Sequence, residues 1–208
     1  EWRVDQIGPS GTVNGHTWRF TTGDSATVED FEDYTGSDAI AAAWVHNIGP
    51  DFTYVFLDTG TVQQGAKAMR LECQNQYEPF LTEATRRFEQ PQDWTVTNPT
   101  ALVLSFRGQR DNLEQPIYVR IRDVAGNEAT VAHPLEYAVQ SEPWRTWEIP
   151  LSEFAGVDLA TIDALTIGIG DGETSGQPGD DRDTLYIDNV RLRASASTSC
   201  GSTGSSGG

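Results

Sequence analysis

The feature of this sequence that most restricts its fold is a succession of short strand-like segments, spaced about ten residues apart. After Thr27 they run TVEDFED, DAIAAAWV, FTYVFLD, AKAMRLECQ, TEATRRFE, ALVLSFRG, PIYVRIRD, EATVAH, WRTWEIPL, DALTIGIGD and TLYIDNVRL. Turn-forming residues separate them, and only AIAAAWV is apolar enough to form a helical turn instead. The pattern predicts an all-β protein, an antiparallel β-sandwich whose leading architecture is a jelly roll.

Charge narrows the range of partners. The chain of 208 residues carries 31 acidic against 14 basic residues, a net charge of −17, so we expect no nucleic-acid partner. Lys67 is the single lysine, and the other basic residues are arginines, which suit planar contacts with carboxylates or sulfates. No apolar run reaches the roughly 20 residues of a membrane-spanning helix, and we therefore expect no membrane partner.

The two ends of the chain suggest a piece of a longer protein. The opening EWRVDQIGPSG lacks the pattern of a signal peptide, and the Ser/Gly-rich segment 195–208 has the composition of a flexible linker. The first 24 residues contain two strand-like stretches, EWRVDQI and HTWRFTTGD, and residues 1–22 resemble the last hairpin of a fibronectin-type-III-like repeat. We expect the main domain to span residues 27–194 and to be covalently linked to neighbouring domains.

The order of segments in the main domain carries a second resemblance. DFEDY, GAKAMRLE, LVLSFRG, PIYVRIRDVAGNEATV, WRTWEIPLSEF and YIDNVRL are similar, in this order, to the galactose-binding-like jelly-roll carbohydrate-binding modules. WRTWEIPLSEF and YIDNVRL are the strongest matches. The resemblance implies a non-catalytic, polysaccharide-binding module of a larger secreted or cell-surface protein, and it does not fix the glycan.

The last strand-like segment contains a break in its alternation. Leu185 and Ile187 point to one face of a strand, whereas Val190 and Leu192 have the opposite parity. Both pairs can be buried only if the strand bulges between them, at Asp188.

The bulge gives Asp188 a possible role as a metal ligand. The resemblance implies a structural calcium ion at one edge of the sandwich, clamped by Glu32 of the first strand and Asp188 of the last. Backbone oxygens near Gly65 and Lys67 would complete the shell, because calcium takes six to eight oxygen ligands. The alternative is that Asp188 only accepts hydrogen bonds from a neighbouring turn.

Strand parity also predicts a surface that could bind sugar. In PIYVRIRD the core takes Ile117, Val119 and Ile121, which leaves Tyr118, Arg120 and Arg122 outside; in LVLSFRG, Arg107 points outward. If these strands share a sheet, its open face could bind a glycan, and the arginines favour an acidic one. The alternative is a face neutralised by Arg–Glu pairs between strands.

Aromatic side chains are the other candidates for sugar contacts, since sugar rings pack on aromatic rings. Tyr77 and Phe80 lie in the turn-like NQYEPF, and Trp44 and Trp144 also lie in loop-like contexts. For each of them, packing inside the protein is the alternative.

No catalytic motif stands out. HExxH and phosphate-binding glycine loops are absent from the sequence, GxSxG occurs only as GSSGG in the Ser/Gly-rich segment 195–208, and no pair of carboxylates is singled out. The resemblance therefore remains the basis for expecting a non-catalytic carbohydrate-binding module. A structural or adhesive β-sandwich spacer and a polysaccharide lyase or hydrolase remain as alternatives.

Overall fold

Two antiparallel β-sheets packed face to face make up the main domain. The computed structural model describes residues 2–3, 6–8, 11–13, 17–18, 25–47, 54–73, 75, 80–96, 98–172 and 183–194. The predicted all-β sandwich is confirmed. None of the helices in these ranges is long and apolar enough to cross a membrane. Tyr77 and the segment 195–208 lie outside the described residues.

The amino-terminal residues form two short antiparallel pairs. Strand β1 (Trp2–Arg3) pairs with β4 (Thr17–Trp18), and β2 (Gln6–Gly8) pairs with β3 (Gly11–Val13). This pairing agrees with a hairpin in residues 1–22, whereas its origin in a fibronectin-type-III-like repeat stays a prediction.

The first large sheet, sheet I, has six strands within the described ranges: β5 (Ser25–Glu29), β7 (Val55–Asp58), β8 (Ala68–Cys73), β10 (Pro99–Arg107), β13 (Arg145–Pro150) and β15 (Asp183–Ala194). Their order is β13-β10-β15-β8-β7, and β5 also pairs with β15.

The opposing sheet, sheet II, has five strands in the same described ranges: β6 (Trp44–His46), β9 (Leu81–Gln92), β11 (Ile117–Asp123), β12 (Glu128–Ala132) and β14 (Ile162–Gly170). Their order is β12-β11-β14-β9-β6. One α-helix, α1 (Ser37–Ala43), leads into β6 from the segment AIAAAWV, and 3₁₀ helices occupy Glu136–Gln140 and Leu151–Glu153.

The inner faces of the two sheets form the core, as strand parity predicted. Ile117, Val119 and Ile121 of β11 are fully buried in one apolar cluster with Leu102 and Phe106 of β10. Removing these branched side chains from water supplies the main stabilising free energy of the sandwich. The alternate residues of each strand point to the outer faces of the sheets, where ligands can contact their side chains.

The outer face of sheet I carries its own ion pair. Val103 on β10 is opposite Glu148 of β13, and Ala101 on the same strand is opposite Arg193 of β15. Arg193 pairs with Glu148, so the two side chains bridge across β10. Val103 lies in this region and is buried although its parity is outward.

The predicted bulge in the last strand is present. Ser105 is opposite Asp188 whereas Val103 is opposite Arg191, so three steps along β15 match two steps along β10. Asn189 has a φ of 54°, in the left-handed region that asparagine tolerates better than most residues. Side chains of both parities, before and after this point, are therefore buried.

Candidate functional site

A trough on the outer face of sheet II is the first candidate site. It consists of two adjoining depressions of about 350 Å³ and 240 Å³ that share Glu83 of β9 and Arg120 of β11. One depression is walled by the apolar side chains of Leu81, Pro116 and Ala132 around Tyr118, and the other is mostly polar. We refer to this surface as the sheet II trough.

Sheet register explains how the floor of the trough forms. Gly168 of β14 lies between Tyr118 on β11 and Glu83 on β9. A Cβ atom at Gly168 would lie 2.2 Å from Cζ of Tyr118, so the phenol ring lies directly over this glycine. The ring thereby crosses β14, and the Tyr118 hydroxyl donates a 2.6 Å hydrogen bond to Oε1 of Glu83.

Two of the three arginines that line the trough are paired with carboxylates, whereas the third, Arg87, is exposed and forms no ion pair with a described residue. Glu83 also forms an ion pair with Arg120, and Arg122 donates two hydrogen bonds, of 2.9 and 2.6 Å, to the carboxylate of Asp163. Burial raises the pKa of Tyr118, and its hydrogen bond to the Glu83 carboxylate raises it further, so the hydroxyl stays protonated as a donor. The trough therefore presents alternating donors and acceptors with no net excess of positive charge at Arg120 and Arg122.

A larger cavity, the Trp144 cavity, lies at the β13 edge of sheet I. It has a volume of about 600 Å³ and is bordered by β13, the segment after β12 and the 3₁₀ helix Glu136–Gln140. Its lining includes the rings of His133, Tyr137 and Trp144 and the guanidinium groups of Arg110 and Arg145. No aspartate or glutamate is among its lining residues in the described part of the chain.

Two of the rings differ in how firmly they are held. The His133 ring packs edge-on against Phe106 and Trp147, and the backbone N–H of Leu135 donates a 3.1 Å hydrogen bond to its Nδ1. Burial lowers the pKa of His133, which favours a neutral ring at neutral pH. Tyr137, by contrast, is 54 % exposed at the rim.

The two predicted calcium ligands bind the same loop. Asp188 Oδ2 accepts hydrogen bonds of 2.9 Å from the backbone N–H groups of both Gln63 and Gln64. Glu32 Oε1 accepts hydrogen bonds from the backbone N–H groups of Ala66, at 2.7 Å, and Lys67, at 3.0 Å. The loop that precedes β8 thus fastens the first strand region to the last strand.

The second carboxylate oxygen of Asp188 differs from the first in its hydrogen bonding. This atom, Oδ1, is buried and has no partner with hydrogen-bond geometry among the described residues, whereas a buried carboxylate oxygen normally has one. Burial raises the pKa of Asp188, the backbone N–H groups of Gln64, Gln63 and Asn189 oppose this, and the negative charge of Glu32 adds a smaller increase. A cation at Oδ1 would remove both the missing contact and the repulsion, so the residues present fit a hard cation.

Gly65 and Lys67 lie next to Glu32, but through contacts other than the predicted ligand oxygens, so their role as calcium ligands stays a prediction. A Cβ atom at Gly65 would lie 2.1 Å from Oε1 of Glu32, so the glycine allows this close approach. Lys67 contributes its backbone N–H to Glu32 and donates from Nζ to the carbonyl oxygens of Glu32, at 2.6 Å, and Tyr34, at 2.9 Å. Among the residues that the structure describes, no three His, Cys, Asp or Glu side chains are grouped as ligands of one ion.

The prediction that Trp44 contacts a ligand is wrong. Its side chain is completely buried in the core, where Nε1 donates a 3.3 Å hydrogen bond to Oε2 of Glu29. Glu29 is itself buried and forms an ion pair with Arg86, an inward-facing arginine of β9. The tryptophan therefore helps to satisfy a buried carboxylate, and its position after helix α1 turns it inward.

The expectation that Arg107 shares a sheet face with Arg120 and Arg122 is also wrong. Arg107 lies on β10 of sheet I, whereas the other two lie on β11 of sheet II. Both strands have outward-facing arginines, but the sheets face each other through the core, so the arginines lie on opposite outer surfaces. Within the described part of the chain, the buried Nε of Arg107 has no hydrogen-bond partner.

The remaining predicted contacts divide between the two candidate sites. Tyr118, Arg120 and Arg122 line the sheet II trough, and Trp144 lines the cavity. Phe80 is partly buried and directly precedes Leu81 of the trough wall. No pattern in the sequence indicated that Arg110 and His133 lie beside Trp144, because they come from different loops.

Comparisons with known proteins support the fold. Neither a protein-family model nor a curated protein sequence matches the chain. A family 11 carbohydrate-binding module from Clostridium thermocellum, solved in complex with a β-1,3-1,4-mixed-linked tetrasaccharide, is 13 % identical, with a TM-score of 0.55; the match covers 84 % of this chain and 98 % of that one. A family 30 carbohydrate-binding module is 16 % identical, with a TM-score of 0.50, over 68 % of this chain and 74 % of that one.

A part of an enzyme structure is similar as well. An exo-β-agarase is 16 % identical with a TM-score of 0.59, and the match covers 81 % of this chain but only 25 % of the agarase chain. The predicted jelly-roll fold of galactose-binding-like carbohydrate-binding modules is thus confirmed at the level of the fold.

Proposed function

We propose that the protein is a non-catalytic carbohydrate-binding module whose glycan site is the sheet II trough. The observation that carries the proposal is the continuous depression in which the hydroxyl of Tyr118 and the guanidinium of Arg120 converge on one carboxylate, Glu83. Ligand sites commonly combine apolar walls with a few convergent polar groups, and this trough has both. The shared jelly-roll fold supports the same function.

The pairing of charges favours a neutral polysaccharide in this trough. Arg120 and Arg122 each already have a carboxylate partner, so an additional anion would have to compete with Glu83 or Asp163. Sugar hydroxyl groups can donate to the carboxylates and accept from the guanidinium groups without breaking the pairs. The apolar wall at Leu81, Pro116 and Ala132 offers a surface for the C–H face of a sugar ring.

The test is calorimetric titration of the full chain with a panel of neutral oligosaccharides, from β-glucans to galactans. Arg120→Gln removes a charge-assisted contact of about 1.5–3 kcal/mol and is expected to weaken binding about 10- to 100-fold. Arg193→Gln is the matched control, since it also breaks an Arg–Glu pair, on the outer face of sheet I. Equal affinity of the Arg120→Gln and Arg193→Gln variants would refute the trough as the site.

A calcium ion at Glu32 and Asp188 is part of the proposal. Its support is the buried, partnerless Oδ1 of Asp188 and the convergence of both carboxylates on the loop before β8. When bound, the ion would supply positive charge to the Glu32 and Asp188 carboxylates, and it would oppose the burial that raises the pKa of Asp188. Glu32 and Asp188 would hold it from the first strand region and the last strand, which stabilises the sandwich edge.

We further infer a secreted or cell-surface parent protein with covalently linked domains. The agarase comparison supports this organisation, because a domain of this fold makes up only a quarter of that chain. The spacer alternative predicts no binding across the glycan panel. The lyase or hydrolase alternative predicts new reducing ends or unsaturated uronates on incubation with polysaccharide, and we expect neither.

A further inference from the structure

We propose that the Trp144 cavity is a second binding site, specific for a sugar unit that carries a carboxylate or sulfate group. The proposal rests on the charge and the ring content of the cavity. It shares no lining residue with the sheet II trough, so it does not depend on glycan binding there.

The charge of the cavity departs from that of the protein. In a chain with a net charge of −17, Arg110 and Arg145 both line this cavity while no carboxylate does, within the described residues. Glu136 and Glu142 belong to the same stretch of chain, but they are exposed and are not among the lining residues. An anion in the cavity would thus meet two guanidinium groups without a competing carboxylate on the wall.

Arg145 and Arg110 differ in how firmly their guanidinium groups are held. Arg145 donates from Nε to Oγ of Ser141 at 2.6 Å, and Ser141 donates in turn to the carbonyl oxygen of Pro143 at 3.0 Å. These hydrogen bonds hold the guanidinium group against the wall, and its terminal nitrogens make no hydrogen bond to any residue that the structure describes. Arg110 is exposed and forms no ion pair with any described residue, so it can close onto a ligand from the other side.

The rings indicate a sugar and argue against a bare inorganic anion. Trp144 is partly buried and Tyr137 lies exposed at the rim, so both offer ring surface to a ligand. Leu135, 41 % exposed, extends the apolar rim. A cavity of about 600 Å³ falls in the range of small-molecule sites, about 300–1,000 Å³, and is larger than a sulfate ion alone requires. Apolar ring surface and two free guanidinium groups together match a pyranose with an anionic substituent.

The trough provides the contrast that makes the proposal specific. There, Arg120 and Arg122 are neutralised by Glu83 and Asp163, which suits a neutral chain. In the cavity the arginines are free of carboxylates, which suits an acidic one.

The experiment titrates the full chain with two acidic probes and their neutral counterparts at fixed ionic strength. The probes are trigalacturonate with its carboxyl-reduced form, and a sulfated galactose tetrasaccharide with its desulfated form. We expect at least one acidic probe to bind at least tenfold more tightly than its counterpart, and the two pairs distinguish a carboxylate from a sulfate ligand. Equal binding within both pairs, or no binding of either acidic probe, would overturn the proposal.

Variants assign the binding to the cavity. Arg110→Gln, on an exposed side chain whose loss leaves the core intact, should weaken the acidic probe about 10- to 100-fold. Trp144→Ala should weaken both the acidic probe and any residual binding of its neutral form. Arg193→Gln is the charge-matched control and should leave the affinity unchanged.

The same titrations separate this site from the trough. Arg120→Gln should leave binding of the acidic probe intact even if it abolishes binding of neutral oligosaccharides. If Arg120→Gln removes acidic binding while Arg110→Gln does not, the acidic sugar occupies the trough and the cavity proposal is wrong. If neutral binding is absent while Arg110→Gln still weakens the acidic probe, the proposed trough function fails and the cavity site stands.

Discussion

Replacing Gly168 by alanine tests the construction of the sheet II trough. A Cβ atom at this position would lie 2.2 Å from Cζ of Tyr118. Non-bonded carbon atoms rest about 3.5–4.0 Å apart, so the ring would have to move by about 1.3–1.8 Å. A movement of this size breaks the 2.6 Å hydrogen bond from the Tyr118 hydroxyl to Glu83.

The magnitude follows from two opposing effects. A hydrogen bond to a charged partner contributes about 1.5–3 kcal/mol, and its loss destabilises the fold. Alanine in a strand is favoured over glycine by about 0.5–1 kcal/mol, which offsets part of that loss. We therefore expect Gly168→Ala to lower the free energy of unfolding by about 1–2 kcal/mol, and the melting temperature by about 2–8 °C.

A double-mutant cycle isolates the contact. In a Tyr118→Ala background the ring is absent, so Gly168→Ala should become neutral or slightly stabilising in urea unfolding. Gly60→Ala is the matched control, because its Cβ atom would lie 3.7 Å from Oδ1 of Asp58, an ordinary contact. If Gly168→Ala costs the same with and without the Tyr118 ring, the ring does not cover the glycine and the trough floor is built differently.

Three other perturbations test the calcium site, the hydrogen bonds of Asp123 and the buried position of Trp44. Calcium at a hundredfold excess over its Kd should raise the free energy of unfolding by about 2.7 kcal/mol and the melting temperature by about 5–10 °C relative to chelator. Asp188→Asn should remove this difference. A wild-type melting temperature that changes with neither calcium nor chelator would contradict the metal site. The backbone N–H of Asp158 and the side-chain amide of Asn127 lower the pKa of Asp123 to about 2. Because the pKa of Asp123 is lower in the folded protein, its ionised carboxylate stabilises the fold fully above the ordinary pKa of an aspartate, and this stabilisation is lost as the pH falls toward 2. The free energy of unfolding of the wild type should therefore exceed that of Asp123→Asn by less and less between about pH 4 and pH 2. A difference that stays constant over this range would refute the prediction. Trp44→Phe should destabilise the fold by about 1–3 kcal/mol in urea, because Glu29 loses a buried donor, yet leave glycan affinity unchanged; a selective loss of affinity would restore Trp44 as a ligand contact.

Alternation along single strands could be predicted from the sequence because it depends on neighbouring residues alone. Ile117, Val119 and Ile121 are buried as their parity requires, and Tyr118 and Arg120 share the outer face. The bulge at Asp188 was predictable for the same reason, since two apolar pairs of opposite parity leave no other arrangement.

The assignment of strands to sheets could not be predicted in this way. Parity gives the face of a strand but not the sheet that contains it, and Arg107 was therefore placed beside Arg120, from which the whole sandwich separates it. Trp44 is buried because Glu29, 15 residues earlier in the chain, needs a donor inside the core. Such a pairing depends on tertiary contacts that no local pattern contains.

Of the two candidate sites, the Trp144 cavity was the less predictable from the sequence. Only Trp144 of its residues was a predicted contact, since Arg110, His133 and Arg145 come from separate loops and a strand end. Their common property, basic side chains without a carboxylate on the wall, becomes apparent only when the loops are placed together in space.

The measurement that tests the central claim most directly is backbone amide chemical-shift mapping of the full chain during titration with a neutral oligosaccharide that binds in calorimetry. The account predicts that the largest shifts fall on β9, β11 and β14 around Glu83, Tyr118 and Arg120, while Glu148 on the outer face of sheet I does not change. Shifts concentrated on sheet I, or none on these three strands at saturating oligosaccharide, would contradict it.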